Sequence, residues 1–151
     1  MRNLPLTYLL SIIMFASCNQ DNAAHWEQEI MDADIAFSNY SVEHGSNAAF
    51  LHFATSDVVL LKSNMMPIVG HQKLEEFYTG KSDSAYTLKW KPLFAKVSKQ
   101  VDLGYTYGVW ELFLKAEPEN IRKGTYLTIW EHQPDGQWKF VLDTGNQGLG
   151  E

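Results

Sequence analysis

Two carboxylates stand inside apolar runs, where a side chain's chemistry departs most from its behaviour in water. Asp143 interrupts Val141-Leu142-Asp143-Thr144, and Glu111 lies among Tyr107, Val109 and Phe113. A carboxyl withdrawn from water holds its proton more tightly, so an Asp143 facing a cavity is expected to act as a base or as a ligand anchor. The alternative for Asp143 is a strand-end carboxylate that accepts backbone N–H bonds at a sheet rim. Glu111 either meets a ligand's donor or pairs with a lysine on a neighbouring strand. Histidines 25, 44, 52, 71 and 132 form neither a His-x-His nor a His-Glu-x-x-His spacing, so no metal site is expected. His44 reads as a hydrogen-bonded core residue, and His52 as a surface residue or one overlooking a cavity mouth. The single cysteine, Cys18, excludes a disulfide framework and a Cys-based structural zinc site. It also leaves nucleophilic catalysis without a thiol in the body of the chain. No cofactor is expected.

Aromatic residues give a denser signal. Trp90, Trp110 and Trp130 fall in three separate strand-like runs, joined by Tyr86, Tyr105, Tyr107 and Tyr126. Tyr and Trp combine an apolar body with a polar handle and suit a pocket for a ring-shaped or amphipathic ligand. The same side chains also build cores and dimer interfaces, which is the plainer reading. Trp138 is read as core.

These residues need elements to position them. The 151 residues are 45% hydrophobic and 20% charged, a balance that fits one domain with its own core and excludes a disordered chain. The net charge of −6 argues against a nucleic-acid partner, which needs clustered Lys and Arg. From His25, the residues Trp26, Ile30, Ala33, Phe37, Tyr40 and His44 recur at helical spacing. Gly45 is expected to end that helix in a left-handed cap, and Asn47 to cap a short second helix carrying Phe50, Leu51 and Phe53. Ser56-Asp57 reads as a turn before a strand at Val58-Val59-Leu60-Leu61. Gly70 to Gly80 encloses a third helix with Leu74, Phe77 and Tyr78 on its apolar side. Ala85–Ser98, Leu103–Lys115, Lys123–Gln133 and Gln137–Thr144 read as strands, the last two joined by a tight Asp135-Gly136 hairpin. Helices first and long antiparallel strands last predict an α+β architecture. Parity places Gly104, Thr106, Gly108, Trp110, Leu112 and Leu114 on one face of their strand, and Tyr105, Tyr107, Val109, Glu111 and Phe113 on the other. Both faces are partly apolar, so both are expected to be covered.

The beginning of the chain is different in kind. Arg2 precedes the apolar run Leu4–Phe15, and the small residues Ala16-Ser17 stand before Cys18. The run has the form of an export signal and is too short to span a bilayer. Phe15-Ala16-Ser17-Cys18 resembles the lipobox of bacterial lipoproteins, although the family usually has Leu where Phe15 stands. The resemblance implies a signal peptide at 1–17, lipidation of Cys18, a polar tether at 18–24, a domain at 25–145 and a tail at 146–151. The expected location is the bacterial cell envelope, with membrane contact through the lipid alone. By resemblance to the usual sorting rule of that family, Asn19 after the cysteine favours the outer membrane, with the periplasmic side as the alternative.

The element order, with Gly104-Tyr105-Thr106-Tyr107-Gly108, Gly124–Trp130 and Pro134-Asp135-Gly136-Gln137-Trp138-Lys139, resembles the NTF2-like superfamily and within it the SnoaL-like, DUF4440 branch. The resemblance implies a cystatin-like cone: helices packed on a strongly curved antiparallel sheet around a cavity, often in a homodimer. It implies no reaction, because this fold hosts enzymes, binding proteins and assembly domains alike. In the steroid isomerases of this fold, the base falls near Leu60 or Leu61 of this sequence and the second carboxyl near Trp130. Neither Leu nor Trp transfers a proton. The expectation is therefore a lipid-anchored domain that binds a small apolar or amphipathic ligand in an aromatic cavity, drawing on Tyr86, Trp90, Tyr105, Tyr107, Trp110, Tyr126, Trp130 and His52. The alternatives are an enzyme using Asp143 or Glu111 as its acid–base group, and a dimerisation module.

Overall fold

The computed structural model describes residues 17–149. The export segment expected at 1–17 lies outside the described residues except for Ser17, and the side chain of Cys18 also lies outside them. Helix α1 spans Ser17–His44 and α2 Ser46–Phe53; strands β1 (Ala54–Leu61) and β2 (Ile68–Val69) precede α3 (His71–Tyr78). The remaining strands are β3 (Tyr86–Val97), β4 (Leu103–Leu114), β5 (Glu117–His132) and β6 (Trp138–Gln147). They form an open, curled sheet in the order β2-β1-β6-β5-β4-β3. Every pairing is antiparallel except that of β1 with β6. The α+β architecture is the one expected.

Helix α1 starts well before His25, so the stretch read as a tether is helical. The reason is local: no Gly or Pro occurs between Ser17 and Gly45 to stop it. Its buried face runs along β3, the edge strand of the sheet. There the Ser38 hydroxyl donates to the Trp90 carbonyl and accepts from the Trp90 N–H, both at 2.8 Å, and the Ser41 hydroxyl donates to the Leu88 carbonyl at 2.8 Å. Serines that would weaken a free helix here satisfy a strand edge.

Three local expectations give way. Gly45 has φ 91° and ψ 152°, an extended conformation open to glycine rather than the left-handed helical cap. The N-terminus of α2 is capped not by Asn47 but by Asp83, whose carboxylate accepts from the Asn47 N–H at 2.8 Å and the Ser46 hydroxyl at 3.3 Å. A negative group at a helix N-terminus is favoured by the dipole. Ser56-Asp57 is no turn: β1 begins at Ala54, and these two exposed residues sit where its register with β6 shifts between Ala54 and Val59. The irregularity absorbs a polar pair without ending the strand. The gap between the strands expected at Leu103–Lys115 and Lys123–Gln133 shortens likewise, because β5 begins at Glu117.

The core lies between the helices and the concave side of the sheet. Phe37 is its centre, with ring centroids of Trp90 at 4.5 Å, Phe50 and Phe53 at 5.0 Å and Phe140 at 5.2 Å. Ile30, Leu60, Leu74, Trp130 and Trp138 complete it. The two faces of β4 separate as parity predicts: Gly104, Thr106 and Gly108 are buried, whereas Tyr105 and Tyr107 are exposed. Among the described residues nothing covers the second face. Leu93, Phe94, Leu103, Tyr105 and Tyr107 face outward and are exposed.

Candidate ligand pocket

Beyond the core, the concave side opens into a pocket of about 380 Å³, within the usual range for small-molecule sites. Its walls are Phe50 from α2, Leu60 and Leu61 from β1, Leu88 and Trp90 from β3, Trp110 and Leu112 from β4, and Tyr126 from β5. Asp143 of β6 lies among them, and Lys62, Ser63 and Met65 form part of the rim.

The wall rings are fixed from behind. Asp34, fully buried on α1, accepts the Trp90 indole N–H at 2.7 Å on one oxygen and the Tyr126 hydroxyl at 2.7 Å on the other. Burial raises its pKa, while donors from Thr106, Tyr126 and Trp90 oppose the rise. The Tyr126 phenol is pushed well above its ordinary value, first by burial and then by the negative charge of Asp34. It stays protonated and donates inward. Trp110 is held differently. Its indole lies flat against Gly124 and Gly145, and its N–H is shared between the Thr125 and Asn146 carbonyls at 3.2 Å each. A side chain at Gly124 would come within 2.5 Å of the Trp110 ring, so this glycine is needed for a close approach.

Asp143 is the chemically distinctive group. Burial pushes its pKa up to about 7, a hydrogen bond from Thr128 at 2.7 Å opposes the rise, Asp34 adds to it, and Lys62 offsets part of it. A carboxyl titrating near neutrality accepts a hydrogen bond when ionised, donates one when protonated, and can move a proton between the two states. Asp143 pairs directly with Leu60 in the sheet.

The expected site residues divide into two groups. Trp90, Trp110, Tyr126 and Asp143 meet at the pocket. Trp130 lies beneath it, buried, donating its indole N–H to Thr106 at 2.9 Å. Tyr86 is beside the N-terminus of α2, with its hydroxyl 3.1 Å from that of Ser46. His52 is exposed and stacks on Tyr40 at 4.7 Å; it does not overlook the pocket. His44 is not a core residue either, since its side chain is about half exposed and lies 3.8 Å from Glu43. Tyr105 and Tyr107 lie on the outer face with Phe94. Glu111 is on that face too, bonded to Lys123 at 2.9 Å and Lys89 at 3.3 Å, which lowers its pKa and fits its ion-pair reading. A more open depression of about 510 Å³ runs over the outer face past Val97, Leu103, Leu127 and Ile129 and includes Lys96, already paired with Glu27 at 2.7 Å. Among the described residues no group of three His, Cys, Asp or Glu could hold a metal ion.

Sequence reasoning missed Asp34, Thr128 and Lys62. Asp34 had a signal: it lies four residues after Ile30 and three before Phe37, on the same helical face as both. Lys62 had none, since it is the loop residue that follows β1.

No protein-family model matches the chain, and no curated protein matches it significantly. Solved structures do. An NTF2-like protein with a cystatin-like fold from Novosphingobium aromaticivorans superposes with a TM-score of 0.69 at 11% identity, covering 94% of each chain. An NTF2-like protein of unknown function from Pseudomonas putida gives 0.66 at 10% identity, covering 85% of this chain and 90% of its own. A ketosteroid isomerase-like protein from Erwinia carotovora atroseptica gives 0.62 at 15% identity, covering 81% and 95%. The fold is NTF2-like. At these identities the likeness concerns the fold and leaves the reaction open.

Proposed function

We propose that this domain binds a small apolar or amphipathic ligand on the concave side of its sheet, in an aromatic pocket whose wall includes Asp143. The observation that carries the reading is the meeting of Trp90, Trp110 and Tyr126 with a buried carboxyl in a pocket of about 380 Å³. Rings fixed by Asp34 and by Gly124 supply flat apolar walls that lose little conformational freedom on binding. Calorimetric titration with naphthylethanol, a ring with one hydroxyl, tests it. Saturable binding at one site is expected, and Leu112→Trp, which fills the pocket from β4, abolishes it. A parent protein that takes up no such probe removes the reading.

We further propose that the chain is exported and anchored to the cell envelope through lipid on Cys18. The support is the order of Arg2, the apolar run Leu4–Phe15 and the small residues before the cysteine. Among the described residues no helix is long and apolar enough to cross a membrane.

A further inference from the structure

We infer that the occupant of this pocket is an amphipathic anion, its apolar body against Trp90 and Trp110 and its carboxylate at the rim with Lys62. The inference rests on the ligand-binding reading above and adds the charge of the ligand. It starts from an imbalance at the rim. The chain carries a net charge of −6, yet two ammonium groups share the ring of Phe77 on α3: Lys81 Nζ stands 3.2 Å from its centroid, and Lys62 Nζ 5.9 Å from it. Lys62 lines the pocket itself.

On the outer face Lys89 and Lys123 share Glu111, and Lys96 holds Glu27. Lys62 and Lys81 have no carboxylate within 4.0 Å among the described residues. Burial lowers the Lys62 pKa, Asp143 opposes that, and Lys81 adds to it. The two cations therefore disfavour each other. A ligand carboxylate beside Lys62 offsets that repulsion and gains a charge-assisted hydrogen bond at the edge of a low-dielectric pocket. Asp143 does not fill this role, because it lies inside the pocket, is bonded to Thr128 and takes up its proton at about pH 7.

An organic cation is the competing occupant, since aromatic faces and a carboxyl suit one. It would have to sit beside the Lys62 ammonium group.

Calorimetry with three matched probes tests the inference: naphthylacetate, naphthylethanol and naphthylethylamine. At low salt naphthylacetate is expected to bind about tenfold more tightly than naphthylethanol, an advantage that fades as salt rises. Lys62→Gln should remove most of that advantage, read as the ratio of naphthylacetate to naphthylethanol affinity in the same variant, and its midpoint of urea unfolding shows that the domain remains folded. Equal affinity for acid and alcohol, tightest binding of the amine, or an advantage untouched in Lys62→Gln overturns the anionic ligand and leaves the pocket reading standing. Failure of all three probes overturns both.

Discussion

At the scale of single residues, Asp143 sets the pocket's chemistry at a cost in stability. Its carboxyl titrates at about 7 in the folded chain against 3.8 when free. A proton held more tightly in the folded state favours folding at low pH. Asp143 therefore contributes a penalty that grows as pH rises from about 4 to about 7 and is constant above, reaching at most about 4 kcal/mol. Asp143→Asn keeps an acceptor for Thr128 and cannot ionise. It should be more stable than the parent at pH 8, by a margin that shrinks at pH 5. Urea unfolding at the two pH values reads this difference, and a margin independent of pH would show that Asp143 is not held out of water. The sequence displayed this residue because a charge inside Val141-Leu142-Asp143-Thr144 breaks an apolar run. Asp34 was harder to see because the surrounding helix is rich in polar residues, and only its spacing from Ile30 and Phe37 sets it on the buried face. Glu111 shows the limit of such reading: it too interrupts an apolar strand, and only the register with Lys89 and Lys123 shows that it is neutralised on the outer face.

At the scale of elements, the helix α1 and the edge strand β3 act as one unit. Ser38 serves both backbone groups of Trp90, and Asp34 holds the same residue's indole. The strand edge and the pocket wall are thus set by one helical turn. Ser38→Ala leaves the Trp90 N–H and C=O without that partner and should cost about 1–3 kcal/mol. Hydrogen exchange at the Trp90 amide should accelerate. Unchanged protection there would mean that β3 does not depend on α1 for its register. Most elements were legible because periodicity and turn residues act locally: the Asp135-Gly136 hairpin forms, with the Gly136 N–H donating to the Gln133 carbonyl at 2.9 Å. The α2 cap and the β1 irregularity were not legible, because Asp83 reaches Asn47 from across a loop and β1 takes its register from β6.

At the scale of the whole molecule, the described chain has two sides with different roles. The concave side holds the core and the pocket, whereas the outer side presents Phe94, Tyr105 and Tyr107 and pairs its charges. Sequence parity found the two faces but not which one encloses the cavity. That choice is made by α1 and α2 packing on Phe140 and Trp130, which are contacts distant in sequence. The proposed anchor acts at this scale, since it would hold the domain at a membrane without involving the fold. Cys18→Ala should move the protein from the membrane fraction to the soluble fraction, and a variant that still fractionates with membranes would rule out the lipid. The account's central claim is that ligands enter the concave pocket and not the outer face. A nuclear magnetic resonance map of backbone amides and indole N–H groups during titration with naphthylethanol tests it most directly. The pocket predicts the largest shifts at Leu88, Trp90, Trp110, Tyr126 and Asp143, with Phe94 and Tyr107 unmoved. Shifts confined to Phe94, Tyr107 and their outer-face neighbours would contradict it.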